Sequence, residues 1–330
     1  MVASPLASAT DRAPVGHAEP MLGLGLDVGG TKVLGVLVDL AAPGTILAEE
    51  RVPTPDGGSG LVETLLTLAR FLSSEPLSIG VGAPGLVDHE GALRAGAHLR
   101  HLRDVPIETE LRARTGVRVE VDNDANCHAL AEHAAGAAAG ADDAMVITLG
   151  TGIGAGLITA GRLVRGANGF AGEPGHMIVD PNGPPCPCGQ RGCWERFASG
   201  TGLARLARDA AHGGRLDAAV ALAGGDPDAV RGEHVTAAAR TGDAESLTVL
   251  GELAHWIALG LANLVNILDP AVIVVGGGLV DAADLLLPEV RGRVADLALA
   301  GRQRPEVRIV PAALGERAGA IGAALLAHQP

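Results

Sequence analysis

The sequence predicts a duplicated α/β protein whose two halves face each other across a ligand cleft. Three observations predict it. An alternating apolar segment, residues 22–27, enters a glycine turn at 28–32 and leaves through a second apolar run, 33–39, so the segment reads as a hairpin. The same strand, glycine turn, strand plan returns at 144–149, 150–154 and 155–159. Helical spacing at 58–72, 125–139 and 245–268 alternates with buried-strand runs at 77–83, 117–122 and 271–275. The expected division is a tail over 1–20, an N-terminal α/β domain over 21–124, a C-terminal α/β domain over 125–314, and a final helix over 315–330 packing back on the first domain.

Bulk properties limit the function classes. A chain of 330 residues, 47% of them hydrophobic, can bury the cores of two ordinary domains. The first twenty residues lack the unbroken apolar stretch of a signal peptide. No apolar run is expected to be both long enough and free enough of charge to span a bilayer. A cytoplasmic protein with no membrane partner follows from these. The net charge of −13 argues against a nucleic-acid partner, which needs a basic face to displace counterions. Glycine, 48 of 330, runs at about twice the average usage of roughly 7%. Compositional bias toward Gly and Ala accounts for part of that, and close backbone approach to phosphates is a further use.

The first turn, Asp27-Val-Gly29-Gly30-Thr31-Lys32, suits phosphate. Its glycines let backbone N–H groups approach oxyanions, Thr31 adds a hydroxyl, and Lys32, the only lysine in the chain, adds charge. Asp27 is placed to hold Mg²⁺ through waters. It is neither a P-loop nor a dinucleotide fingerprint, because strand-like sequence follows where a helix is required. Gly-Gly is also an ordinary hairpin turn. Gly150-Thr151-Gly152 offers a second cradle of the same kind. Gly276-Gly277-Gly278 lies past the carboxyl end of a buried strand, where open α/β sheets bind ligands.

Asp122-Asn123-Asp124-Ala-Asn126 stands at a strand end before a helix. Phosphoryl transfer needs a base beside the acceptor hydroxyl, and Asp124 is the candidate, with Asn123 on a neighbouring hydroxyl. Asp and Asn are also the favoured N-caps, so one of this cluster caps the helix whatever else it does. His176, Cys186, Cys188 and Cys193 have the composition of a closed tetrahedral zinc site. The Pro/Gly-rich loop 180–193 has little to bury and needs such a staple. Glu173 and Glu195 flank this knot and are candidate acceptors for sugar hydroxyls, with Gly85, at the end of the 77–83 strand, beside them. Cys127 reads as a small buried residue.

Together these motifs resemble the ROK family (repressors, open reading frames and sugar kinases), most closely its bacterial ATP-dependent glucokinases. The resemblance runs from about residue 22 to 327. Asp27–Lys32 and the 149–156 segment look like the family's two phosphate motifs, and 122–126 like its catalytic segment. The segments 172–176 and 186–195 look like its zinc and sugar signature, and 268–278 like its adenosine side. The resemblance implies two actin-like (ribonuclease H-like) domains, ATP and Mg²⁺ as donor system, structural Zn²⁺, and a homodimer or homotetramer. It implies Asp124 as base, Asn123, Glu173, His176 and Glu195 on the sugar, and transfer to a hexose, glucose first. N-acetylmannosamine, N-acetylglucosamine and fructose remain alternative acceptors, and polyphosphate an alternative donor. One segment departs from the family pattern: in 97–106, His98 stands near an expected Asn and Leu102 replaces a Trp, which leaves the sugar open at that loop. A sugar-sensing repressor on the same fold would carry a helix-turn-helix ahead of the first motif, and 26 residues precede Asp27.

Overall fold

A computed structural model describes residues 21–75, 77–96 and 102–329. The tail expected over 1–20, and His98, lie outside the described residues. In chain order the first half contains β1 (Leu22–Val28), β2 (Lys32–Asp39), β3 (Ile46–Pro53), α1 (Gly58–Leu72), β4 (Ile79–Ala83), β5 (Leu86–Val87), β6 (Leu93–Ala95), β7 (Arg103–Val105), α2 (Ile107–Thr115) and β8 (Val119–Asn123). Then follow α3 (Asp124–Ala135), β9 (Ala144–Leu149), β10 (Ile153–Thr159), β11 (Arg162–Leu163), α4 (Glu195–Ala198), α5 (Gly200–His212), α6 (Asp217–Leu222) and α7 (Gly232–Arg240). The chain ends with α8 (Ala244–Leu268), β12 (Val272–Gly276), α9 (Ala283–Leu297), β13 (Arg308–Pro311) and α10 (Ala318–Leu326).

The two halves repeat one topology. The first sheet has the order β3-β2-β1-β4-β8 and the second β11-β10-β9-β12-β13. In each, three antiparallel strands precede two parallel ones. The carboxyl ends of β1, β4, β8, β9 and β12 therefore carry the glycine turns and the acidic cluster, the usual ligand edge of an open α/β sheet.

Alternation along the strands explains how the halves join. In β1, Leu24, Leu26 and Val28 enter one core with Ile79 and Val81 of β4, beneath α1. Between them stand Gly25 in β1 and Gly80 in β4, with Asp27 near the end of β1, so the opposite face is bare backbone at the two glycines. A Cβ on Gly25 would lie 1.9 Å from the Ala320 carbonyl oxygen, and one on Gly80 would lie 1.6 Å from that of Ala323. Helix α10 thus rests directly on the first sheet. The second sheet repeats the device with α3: a Cβ on Gly156 would lie 2.4 Å from that of Ala129. The two helices also touch each other, since a Cβ on Gly322 would meet the Cys127 carbonyl at 1.7 Å. Cys127 is fully buried there, and Leu102, the residue standing for the family Trp, is also fully buried.

Several boundaries move. The return strand starts at Ile153, so the second glycine turn is shorter than expected. The final helix opens as a single 3₁₀ turn, Gly315–Arg317, before α10. No apolar periodicity marked β3, because its burial alternates only weakly at a sheet edge. The expectation about membrane-spanning runs needs correction: α8 is long and apolar enough by length and composition, with 61% of its most apolar window buried. It is apolar because it fills the core of the second half. Gly260 of α8 lets Trp194 seat against the helix, where a Cβ would lie 2.0 Å from the indole.

Gly80→Ala is expected to destabilise the protein by at least about 3 kcal/mol, the upper end of over-packing costs, because the obstacle is helix backbone rather than a movable side chain. Urea denaturation measures it, and an unchanged midpoint would mean that α10 is not seated on β4.

Candidate active site

The sheet edges enclose a cleft of about 440 Å³. Gly29, Gly30 and Thr31 line it from the first turn, and Gly150, Thr151 and Gly152 from the second. Gly85, Asn123 and Asp124 enter from the ends of β4 and β8, and Glu173, His176 and Glu195 from the segments around the cysteine loop. Twelve candidates, from Gly29 to Glu195, therefore share one cavity. A larger chamber of about 810 Å³ adjoins it, with Gly150 and Thr151 lining both. Gly278 lines the chamber. Gly276 ends β12, and Gly277, at φ +81°, packs against the backbone of Leu149.

Asn123 is the N-cap of α3. Its side-chain oxygen accepts from the N–H groups of Ala125 (2.8 Å) and Asn126 (3.2 Å), while its Nδ2 donates to the Gly85 carbonyl (3.0 Å). One amide hydrogen is left to donate toward the cavity. Because Asn123 caps the helix, Asp124 is its first residue, and the positive end of the helix favours its carboxylate.

Asp27 sits behind the first turn rather than in the cavity wall. Its carboxylate is enclosed by two glycines: a Cβ on Gly319 would lie 2.6 Å from its Cγ and one on Gly82 3.3 Å from its Oδ1. Burial pushes its pKa up to about 6; His128 and Lys32 oppose the shift, and the charge of Asp124 adds to it. Burial likewise raises Glu173 to about 7, reinforced by the charges of Asp124 and Glu195. Glu195 is anchored, its Oε2 accepting from the Ile153 N–H at 3.0 Å.

Lys32 is not brought to the cavity. Its ammonium donates to Glu316 Oε2 at 2.8 Å, and Arg51 holds the other oxygen of that carboxylate at 2.6 Å. These two cations hold the Glu316 carboxyl down at about 2. The pairing crosses 284 residues, so nothing local announced it.

The donor atoms of His176, Cys186, Cys188 and Cys193 all lie within 4.8 Å of one another. Cys188 and Cys193 sulfurs are 3.6 Å apart, and Cys186 Sγ is 3.9 Å from His176 Nδ1. A tetrahedron with Zn–S bonds of about 2.3 Å has edges near 3.8 Å, so the set is compatible with structural zinc. His176 presents its other nitrogen to Glu173, Nε2 to Oε2 at 4.0 Å. Cys193 leads into Trp194, whose indole N–H donates to the Trp256 carbonyl at 2.7 Å. The cysteine loop is thereby tied to α8, and Glu195 follows at a fixed position.

Sequence reasoning missed the wall of the larger chamber. Thr201, at the start of α5, donates to the Thr151 carbonyl (2.9 Å), and Gly200 N–H to the Gly150 carbonyl (2.8 Å). The Ser-Gly-Thr-Gly run at 199–202 opens a helix and was a readable signal for an anion cradle. Gly232 and Thr236 of α7 complete the wall without any local signature. A second omission is the buried pair Asp122–Arg165, with Nε and Oδ2 2.8 Å apart.

The family model for "ROK family" matches residues 23–330. A glucokinase of Streptomyces coelicolor is 38% identical over 313 residues, 94% of this chain and 98% of that protein. The crystal structure of a Streptomyces griseus ROK family glucokinase in complex with glucose and AMPPNP superposes with a TM-score of 0.83 at 37% identity, covering 94% of this chain and all of that one. A xylose repressor of Bacillus subtilis is 27% identical, with 91% of this chain matching 75% of the repressor. Two actin-like halves, a shared cleft and a match over nearly the whole sequence make this chain a member of the ROK family.

Proposed function

We propose that the chain is an ATP-dependent hexose kinase that converts glucose to glucose 6-phosphate. The observation that carries this reading is the convergence of Asp124, Glu173, His176 and Glu195 with both glycine turns in one cleft. That cleft opens into a chamber large enough for a nucleoside. Similarity over nearly full length to glucokinases, one of them solved with glucose and an ATP analogue, supports glucose and ATP as the pair.

In this reading Glu173, Glu195 and His176 hold sugar hydroxyls, with Asn123 and Gly85 along the same edge. Asp124 accepts the proton of the acceptor hydroxyl as its oxygen bonds to the γ-phosphorus, and the bond to the β–γ bridging oxygen breaks to release ADP. The N–H groups of the two glycine turns and the α5 N-terminus receive the phosphates. Asp27 is a buried carboxylate near Asp124, with its pKa raised by burial and by that neighbouring charge, the donor chemistry that suits a divalent cation arriving with ATP. Mg²⁺ there supplies charge neutralisation on the phosphate oxygens. Zn²⁺ held by His176, Cys186, Cys188 and Cys193 is structural, since all four positions are filled by protein. The protein works in the cytoplasm as a homodimer or homotetramer.

A coupled ADP-release assay with ATP and Mg²⁺ against glucose, mannose, fructose, N-acetylglucosamine and N-acetylmannosamine tests the reading. Turnover with glucose foremost is expected; silence on all five with folded protein would refute it. Asp124→Asn is expected to leave glucose binding nearly intact while cutting kcat by at least roughly 10²–10⁴-fold. Substantial residual turnover would remove Asp124 from the role of base.

Cys188→Ala is expected to lose zinc by elemental analysis and to lower the melting temperature. Undiminished zinc would refute the metal centre.

Asp27 generates a prediction with a definite sign. Its folded pKa of about 6 lies above the ordinary value, so the ionised form burdens the folded state above about pH 6, and the burden lifts as pH falls toward 4. Asp27→Asn is therefore expected to abolish turnover yet stabilise the ligand-free protein at pH 8 by about 1–3 kcal/mol, about 1.4 kcal/mol per pKa unit at most. The gain should shrink at pH 5. Equal melting shifts at both pH values would contradict it.

A further inference from the structure

We infer that Arg165 is a positioning residue that links two of the cleft's carboxylates, Asp124 through the buried carboxylate of Asp122 and Glu173 through its own main chain. The inference rests on the kinase reading and adds to it a residue outside the cavity wall. Asp122 closes β8 and is completely buried. A buried carboxylate must be compensated, and Arg165 is its cation, Nε to Oδ2 at 2.8 Å. The guanidinium comes from the other half of the molecule, two residues past β11, and reaches across to the end of the first sheet. Its Nη2 also donates to the Val121 carbonyl at 3.4 Å.

The other oxygen of Asp122 organises the turn that carries the base. Asp122 Oδ1 accepts from the Asn123 N–H at 2.7 Å and from Asn126 Nδ2 at 2.9 Å. Asn123 in turn caps α3 and bonds Gly85, so the backbone on both sides of Asp124 is held from Asp122. Arg165 acts on the second carboxylate by its main chain. Its carbonyl accepts from the Ala171 N–H at 3.1 Å, two residues before Glu173. Gly172 follows within contact of the network, since a Cβ there would lie 3.8 Å from Asn126 Oδ1. One residue therefore sets the base from its side chain and the sugar-site glutamate from its backbone. The spacing between Asp124 and Glu173 then depends on a single ion pair between the halves, and displacements on the order of 1 Å in such a pair of groups cost about 10²-fold in rate.

Arg165→Met removes the charge and keeps the aliphatic stem. The expected result is a drop in kcat of about 10- to 100-fold with the KM for ATP unchanged, because the nucleotide chamber is not touched. Hydrogen–deuterium exchange is expected to show lost protection confined to the segment around 122–127, with α8 unaffected. Adding Asp122→Asn, which removes the uncompensated charge, is expected to restore part of both. Unchanged local exchange would overturn the inference, as would local loosening with wild-type kcat. Loss of protection throughout the chain would also overturn it, since that is a general structural role. If Arg165→Met does not fold, Arg165→Lys is read by the same two measurements and the same outcomes. Wild-type silence with every hexose would refute the kinase reading instead, and the exchange pattern would then decide the positioning role by itself.

Discussion

Close approach of helix backbone to bare sheet backbone is the constraint on which the rest of this structure depends. Helix α10 lies on Gly25 and Gly80 of the first sheet, and α3 lies on Gly154 and Gly156 of the second. The two helices then meet through Gly322. Each half thus covers its own outer face with bulky helices and shares its inner face with the other half. At these glycines no side chain separates helix from sheet, so the sheet edges converge and the turns after β1 and β9 come to one cavity. A Cβ at Gly25, Gly80 or Gly322 would lie within 2 Å of a carbonyl oxygen, and no rotamer change relieves such a clash.

The electrostatics of the cleft follow from this geometry. Asp27, Asp124, Glu173 and Glu195 come from four segments, and the raised pKa values of Asp27 and Glu173 record burial first and the repulsion of neighbouring carboxylates second. An acidic protein can still bind an anionic ligand where backbone N–H groups and helix N-termini face it, and both glycine turns line this cleft. Three cations hold carboxylates outside the cleft wall. Lys32 and Arg51 hold Glu316 just ahead of α10, and Arg165 neutralises Asp122. The same molecule therefore keeps charge pairs at its seams and gathers carboxylates at its cleft.

Much of the site was legible because its parts are local. The Asp-Asn-Asp cluster must stand at a strand end, since β-branched residues precede it and an Ala-rich helix follows. Either amino acid type can cap that helix, and only the coordinates show that Asn123 takes the cap and leaves Asp124 at the first helical position. The cysteine and histidine spacing announced a metal knot, and the sulfur and nitrogen separations suit one. What was not legible had long sequence separations: the Lys32–Glu316 contact, the Asp122–Arg165 pair, and the chamber wall from α5 and α7. The alternation of leucine and glycine in β1 reads locally as a hairpin, and compositional bias and phosphate approach are the uses of glycine that sequence suggests. Their packing role appears only once α10 is seen lying on them.

The sequence by itself determined the two strand–glycine turn–strand units, the zinc-type ligand set, the carboxylate cluster and the family, because each depends on residue types within a few tens of positions. Tertiary structure alone decided which carboxylates share a cavity, that Lys32 turns away from it, and that Arg165 of one half meets Asp122 of the other. The physical reason is that these depend on how two glycine-faced sheets and two small-residue helices nest. That nesting is set by contacts between residues up to 284 positions apart, to which no local periodicity responds.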